Sequence, residues 1–226
     1  MKNEELILED VKVKKNLSVS TRQIYLVFKR FMDIVLSLIG VVFLLVIIIF
    51  VKIINVLSGD FKTIFYSHER VGKNGKTFRL YKFRTMVPNS KEMLDEMLKD
   101  KKYLKEWKEN HKFENDPRVT KVGKILRKTS LDEVPQVLNI LKGDMSLIGP
   151  RPLIEEEVEA YKKNKSLLLS IKPGLTGWWA VNGRSATTNK KRMELELYYV
   201  KNVSLKLDIK IFFMTIIRVL KRDGAK

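Results

Sequence analysis

The stretch 34–51, "IVLSLIGVVFLLVIIIFV", runs eighteen residues without a charge, flanked by Lys29, Arg30 and Asp33 on one side and Lys52 on the other. At 1.5 Å per residue it makes about 27 Å of helix, slightly short of the roughly 30 Å hydrocarbon core of a bilayer. Apolar residues fall on every face, which disfavours a helix buried in a soluble core. Some thirty residues precede it and no small-residue cleavage site follows, so the pattern predicts a retained membrane anchor, not a cleaved signal peptide. Both flanks are basic. Residues 1–30 hold seven Lys and Arg with four acids, and residues 52–84 hold eight with two. The positive-inside rule favours the downstream side as cytoplasmic and gives little reason to export the upstream one. A helix that re-enters on the same face satisfies both flanks, with Gly40 as the place to bend; an unbroken spanning helix is the alternative.

Outside the anchor, charge dominates. The chain has 44 Lys and Arg against 26 Asp and Glu, a formal charge of +18. This points to anionic partners: nucleic acid, an anionic membrane surface or phosphorylated substrates. With no cysteine and only His68 and His111, disulfides, thiolate chemistry and Cys-type zinc sites are excluded, and a Ser-His-Asp triad is disfavoured. Chemistry must rest on Asp, Glu, Lys, Arg and backbone groups.

Downstream, "ERVGKNGKTFRLYKFRTM" (69–86) predicts a hairpin about Asn74-Gly75, bringing Arg79, Lys82 and Arg84 to one neighbourhood. Residues 90–110 predict one solvated amphipathic helix. In Gly149-Pro150-Arg151-Pro152, Arg151 sits between two residues of fixed φ, a rigid presentation that suits phosphate. "IKPGLTGWWAVNGRSA" (171–186) is a loop carrying Arg184 after a second Asn-Gly turn; packing is the default role for Trp178 and Trp179. Ile209, Phe212, Phe213, Ile216, Ile217 and Leu220 form a helical stripe beside basic residues, fit for a core or for an anionic lipid surface.

The residues with the clearest chemical potential lie in "TSLDEVPQVLNIL" (129–141), where Asp132 and Glu133 are adjacent. Ser130 with Glu133 matches a capping box, and on spacing alone that structural role is the simpler reading. Pro135 would then fall beyond the first turn, where it is costly; a later start returns it to the first turn with Asp132 at or beside the cap. Either way the pair is expected at a helix N-terminus. The positive end of the helix, with Arg127 and Lys128 upstream, is expected to keep a carboxylate ionised and to gather phosphate oxygens. Such a carboxylate serves as a nucleophile toward phosphorus or as a Mg²⁺ ligand.

"KFRTM" (82–86), "DPRVTKVGKILRKTSLDEVPQVLNILKGDMSLIGPRPL" (116–153), "KPGLTGWWAVNGR" (172–184), "YYVKN" and "LDIKI" near the end together resemble the bacterial sugar transferases, the monotopic phosphoglycosyl transferases. The resemblance runs from about Lys29 to Leu220. It implies an α+β, mainly helical fold: a basic arm (1–28), a membrane anchor (29–58) and a cytoplasmic catalytic domain (59–226) at the bacterial inner membrane. It further implies transfer of a hexose 1-phosphate from a UDP-sugar to polyprenyl phosphate, initiating capsule, exopolysaccharide or glycoconjugate assembly. In that scheme Asp132 is the nucleophile and Mg²⁺ ligand, forming an aspartyl phosphosugar with release of UMP. Glu133 positions or deprotonates the acceptor, while Lys82, Arg127, Arg151 and Arg184 hold phosphate; Asp144 is a structural candidate. The family's Ser-Pro break in a re-entrant helix is absent, Leu45-Val46 standing in its place, and the chain reads as a short form without the four-helix N-terminal region of longer members. A homodimer is left open, as is the identity of the sugar. The rival readings are a non-catalytic membrane scaffold and, behind it, nucleic-acid binding, for which no recognition motif is present.

Overall fold

The computed structural model describes residues 19–110, 113, 115–183 and 187–221. The first element, α1 (Val19–Leu57), is a 39-residue helix whose hydrogen bonding continues through Gly40 and Leu45-Val46. Its length and composition suit a membrane: the stretch Gln23–Leu57 is strongly apolar, and much of it faces outward, as at Val42, Phe43, Ile49 and Phe50.

One side of α1 is not free. Asp33, Ser37, Leu44, Val51 and Asn55 are buried at spacings of four and seven residues, a single helical stripe. Asp33 accepts from Ser146 Oγ (3.0 Å) and the Leu147 N–H (2.8 Å). Arg30 donates to the Ile140 and Leu141 carbonyls at 2.6 and 2.8 Å, satisfying groups that a helix end leaves open. Lys29 and Tyr25 both reach Asp208 Oδ2 at 2.7 Å, and Tyr199 holds its other oxygen. The flanking charges of the apolar segment are therefore tethers to the rest of the molecule.

After α1, β1 (Phe65–Val71) and β2 (Thr77–Phe83) form an antiparallel hairpin. Asn74 and Gly75, with φ of 58° and 78°, take the left-handed turn that their sequence foretold. The hairpin does not gather its three cations: Lys82 reaches the acidic pair, Arg84 is paired with Asp60 (2.7 Å), and Arg79 is exposed. The helix expected over 90–110 is two, α2 (Ser90–Met97) and α3 (Lys101–Asn110), broken at Leu98–Asp100. Phe113 packs edge-on against Tyr103 and beside Trp107, with Arg118 over both Trp107 and Phe113.

Next, α4 (Lys121–Thr129) is capped by Thr120, whose hydroxyl accepts from the Gly123 N–H. A 3₁₀ turn (Leu131–Gln136) leads into α5 (Val137–Lys142), then β3 (Ser146–Ile148). Short helices α6 (Glu155–Glu159) and α7 (Lys165–Leu168) precede β4 (Gly174–Thr176), which pairs parallel to β3. Last come α8 (Trp178–Val181), α9 (Asn189–Lys201) and α10 (Leu205–Lys221). The fold is mainly helical with a small hairpin, as expected; the short parallel pair was not.

The core cluster nearest the acidic pair combines Leu44 and Val51 of α1 with Phe83, Val122, Leu126 and Val137. Gly40 matters here through close approach and not through bending: a Cβ there would lie 2.9 Å from Val137 Cγ1. The anchor helix thus forms the floor on which the 3₁₀ turn rests. On α10, Ile211 and Asp208 point inward, while Ile209, Phe213, Ile216, Ile217 and Leu220 are exposed. Most of the expected stripe is therefore exposed, which disagrees with the core reading, although Phe212 packs against the buried cluster of Ile148, Val181, Tyr199 and Ile211.

Candidate active site

The acidic pair stands on the 3₁₀ turn. Ser130 closes α4 in the left-handed conformation (φ 58°) and makes no side-chain cap hydrogen bond, so the capping box does not form. Nor does the pair open an α-helix: the turn carries i→i+3 bonding, such as Glu133 N–H to the Ser130 carbonyl, and α5 begins only at Val137. Pro135 accounts for this, since its ring and missing N–H are costly inside an α-helix and tolerated in a short turn.

Lys82 bridges the pair, with Nζ 2.8 Å from Glu133 Oε1 and 3.9 Å from Asp132 Oδ2. The Asp132 side chain is largely buried (14% exposed) and that of Glu133 less so (26%). Burial raises the Asp132 carboxyl above its usual range; Lys82 pulls it down, Glu133 pushes it up and Arg127 pulls it down. The pair therefore sits in the first turn of a 3₁₀ helix that runs into α5, and not at the start of an α-helix; at Asp132 the desolvation of burial outweighs the neighbouring cations.

Beside the pair lies a cavity of about 450 Å³ lined by Lys82, Glu133, Lys128, Arg70, Arg151 and Arg218 among other residues. Asp132 is not on its lining but adjoins it through Lys82 and Glu133. Arg151 is presented as rigidly as its sequence context suggests. Its N–H donates to Glu196 Oε1 (3.1 Å), the Pro150 carbonyl accepts from the Gly174 N–H (2.7 Å), and the guanidinium lies over the Trp179 ring at 5.6 Å. A Cβ on Gly174 would come within 2.1 Å of the Gly149 nitrogen, so these two backbones meet only because both lack side chains.

Of the remaining expected cations, Arg127 is turned to Thr85 Oγ1 (3.0 Å) and does not line the cavity, although its charge is felt at Asp132. Arg184 lies outside the described residues. Asp144 is a structural neighbour of Asn139 Nδ2 (3.4 Å).

Sequence reasoning missed two groups. Arg70 lines the cavity, held by Glu157 Oε2 (3.3 Å) and by His68, whose Nε2 accepts from Arg70 Nε (3.1 Å). Burial, then Arg70, Lys82 and Arg151, lower the His68 pKa to about 4, so it is a neutral acceptor. Glu196, 1% exposed, sits beneath Arg151, and burial raises its pKa to about 7. Nothing in the local pattern of α9 distinguishes Glu196 from Glu194, which pairs with Lys191 at the surface.

Mg²⁺ characteristically takes one or two carboxylates and completes its shell with phosphate oxygens and water. Asp132, with Glu133 beside it, fits that requirement; no cluster of three or more His, Cys, Asp or Glu groups exists among the described residues to form an all-protein cage.

Among the described residues, the fold is helical with one apolar helix of membrane-spanning length, and its acidic pair adjoins a cavity lined by cations. A family model described as bacterial sugar transferase matches residues 24–222, and this chain belongs to that family. The undecaprenyl-phosphate galactose phosphotransferase of Salmonella typhimurium is 50% identical over 161 residues, covering 71% of this chain and 34% of that protein. The UDP-galactose-lipid carrier transferase of Erwinia amylovora is 46% identical over 199 residues, covering 87% and 42%. The exopolysaccharide production protein ExoY of Sinorhizobium fredii is 41% identical over 198 residues, 87% of each chain. The chain thus spans well under half the length of the first two.

Proposed function

We propose that this protein is a phosphoglycosyl transferase that moves a hexose 1-phosphate from a UDP-sugar to polyprenyl phosphate. The names of the Salmonella and Erwinia relatives support both substrates. The single observation that carries the chemistry is the Lys82-bridged pair, Asp132 and Glu133, beside a cavity with Arg70, Lys128 and Arg151 on its walls.

In the first step, an Asp132 carboxylate oxygen attacks the β-phosphorus. The bond from that phosphorus to the bridging oxygen breaks, and UMP leaves with the oxygen. In the second, an oxygen of polyprenyl phosphate attacks the same phosphorus, the Asp132–phosphorus bond breaks, and the carboxylate is restored with formation of a polyprenyl-diphosphate sugar. Glu133 orients the acceptor, and Lys82 keeps the two carboxylates in register until substrate arrives. Arg151, rigid over Trp179, and Arg70 offset the charge of the diphosphate. Bound at Asp132, Mg²⁺ supplies charge neutralisation at the diphosphate.

The anchor's contacts support a monotopic attachment with both flanks cytoplasmic. From Tyr25 to Asn55, about 45 Å of helix, one stripe is buried against the body that carries the pair. Lifting such a helix across a bilayer would take its charged tethers and that body with it.

Detergent-solubilised protein with UDP-galactose, Mg²⁺ and polyprenyl phosphate releases UMP on this account, and Asp132→Asn does not. Equal UMP release from wild type and variant would refute it.

A further inference from the structure

The cavity beside the acidic pair has one wall that the chemistry above does not use. Phe212, Thr215, Ile216, Arg218 and Val219 of α10 line it. Two of these, Ile216 and Val219, are also 42% and 57% exposed, and they run directly into the outward stripe of Phe213, Ile217 and Leu220. The same helix is therefore both cavity wall and apolar outer surface, so the cavity opens sideways onto that surface.

That wall is tethered at two points. Thr215 Oγ1 lies 2.8 Å from Thr176 Oγ1, pinning the helix to β4, and Asp208 ties its start to Lys29 and Tyr25 of the anchor. Near that junction the anchor exposes Ile24, Val27, Phe28 and Phe31, and α10 exposes Leu205 and Ile209. Both helices thus present apolar residues beside a common charged tether, as a surface seated in the outer part of a bilayer would. Arg218 is the basic residue that α10 contributes to the wall, and it is half-buried.

An apolar helix wall that carries one cation of its own, on a cavity lined elsewhere by Arg70, Lys82, Lys128 and Arg151, matches a lipid whose head is a phosphate and whose tail is one long hydrocarbon chain. A sugar nucleotide has no apolar chain to lay there, and a bilayer phospholipid brings two acyl chains where this wall offers the room of one helix face. We propose that Phe212, Ile216 and Val219 form the lateral channel along which the polyprenyl chain lies, and that Arg218 takes its phosphate on the way to Glu133. This rests on the acceptor named under the proposed function and adds its route and its residues.

The test is direct labelling, which does not require turnover. Full-length protein in detergent is irradiated with a photoactivatable polyprenyl phosphate, and the labelled peptides are mapped. Label should fall on 212–219, be competed by unlabelled polyprenyl phosphate but not by UDP-galactose, and drop at least about fivefold in Ile216→Glu. Leu220→Glu, which alters the outer stripe but not the cavity wall, should label as wild type does. Unchanged labelling of 212–219 in Ile216→Glu, label confined to 23–57, or equal loss in Leu220→Glu would overturn the channel. UMP release measured in parallel separates a failure of this route from a failure of the proposed reaction: label on 212–219 without UMP release would support the channel and refute the chemistry.

Discussion

Lys82 Nζ donates to Glu133 Oε1 at 2.8 Å while standing 3.9 Å from Asp132 Oδ2. One cation thus serves two adjacent carboxylates, and its hydrogen bond goes to the one that is not the proposed nucleophile. Asp132 is left with a long contact and a largely buried side chain, available for attack once substrate enters.

Removing that cation should therefore be read in pH and not only in rate. Lys82 lowers the Asp132 pKa, so Lys82→Met raises it, and the acid limb of UMP release moves to higher pH. Rates at neutral pH should fall by about tenfold or more, with partial recovery on raising the pH. A fall with no movement of the limb would assign Lys82 to substrate binding alone.

Asp132→Asn should lose activity and gain stability. Because burial raises the folded-state pKa, the ionised carboxylate destabilises the fold above that pKa, and the penalty vanishes as pH falls to the unfolded value. At pH 7.5 the variant should melt about 1–3 °C above wild type, while UMP release falls by about three orders of magnitude or more. Differential scanning fluorimetry with a UMP assay reads both.

Glu196 supplies a second pH signature. Its folded pKa of about 7 exceeds the ordinary 4.5, so between those values the native state holds the proton longer, and stability is lost as pH rises through the window. His68 acts in the opposite sense, losing stability as pH falls below 6.5 toward about 4, so wild type and variant must be compared at each pH. Glu196→Gln keeps an acceptor for the Arg151 N–H and should melt about 3 °C higher than wild type at pH 8, with no difference near pH 4.5.

Gly40 tests the floor beneath the site. A Cβ there meets Val137 Cγ1 at 2.9 Å, one residue beyond the 3₁₀ turn. Gly40→Ala requires only a shift of that methyl group, whereas Gly40→Leu forces α1 and α5 apart, costing about 1–3 kcal/mol. Thermal melts should show a small change for Ala and a large one for Leu, with UMP release falling in step for Leu.

Topology can be probed with cysteines introduced singly at Lys14 and Lys76. In intact cells neither should react with an impermeant thiol reagent, and both should after permeabilisation. Labelling at Lys14 alone in intact cells would make α1 a spanning helix.

Local rules made several features legible in the sequence. The Asn74-Gly75 turn, the apolar helix and the rigid setting of Arg151 each depend on residues within a few positions of one another. What escaped depends on long-range packing. The α1 tethers through Arg30, Asp33 and Lys29 look like flanking charges until their partners, more than a hundred residues away, are placed. Both helix starts that the sequence allows place the pair at a helix N-terminus, and what local pattern does not give is that the left-handed Ser130 and Pro135 make that first stretch 3₁₀ and not α. Arg70 and Glu196 enter the site only because Glu157, His68 and the Arg151 loop converge in space.

Covalent catalysis by Asp132 leaves a mass on the protein that intact-protein mass spectrometry reads. Protein incubated with UDP-galactose and Mg²⁺ but no acceptor, then quenched in acid, should gain the mass of one hexose phosphate, mapped to Asp132 and discharged by polyprenyl phosphate. An adduct on another residue, or none despite UMP release on the first turnover, would contradict the account.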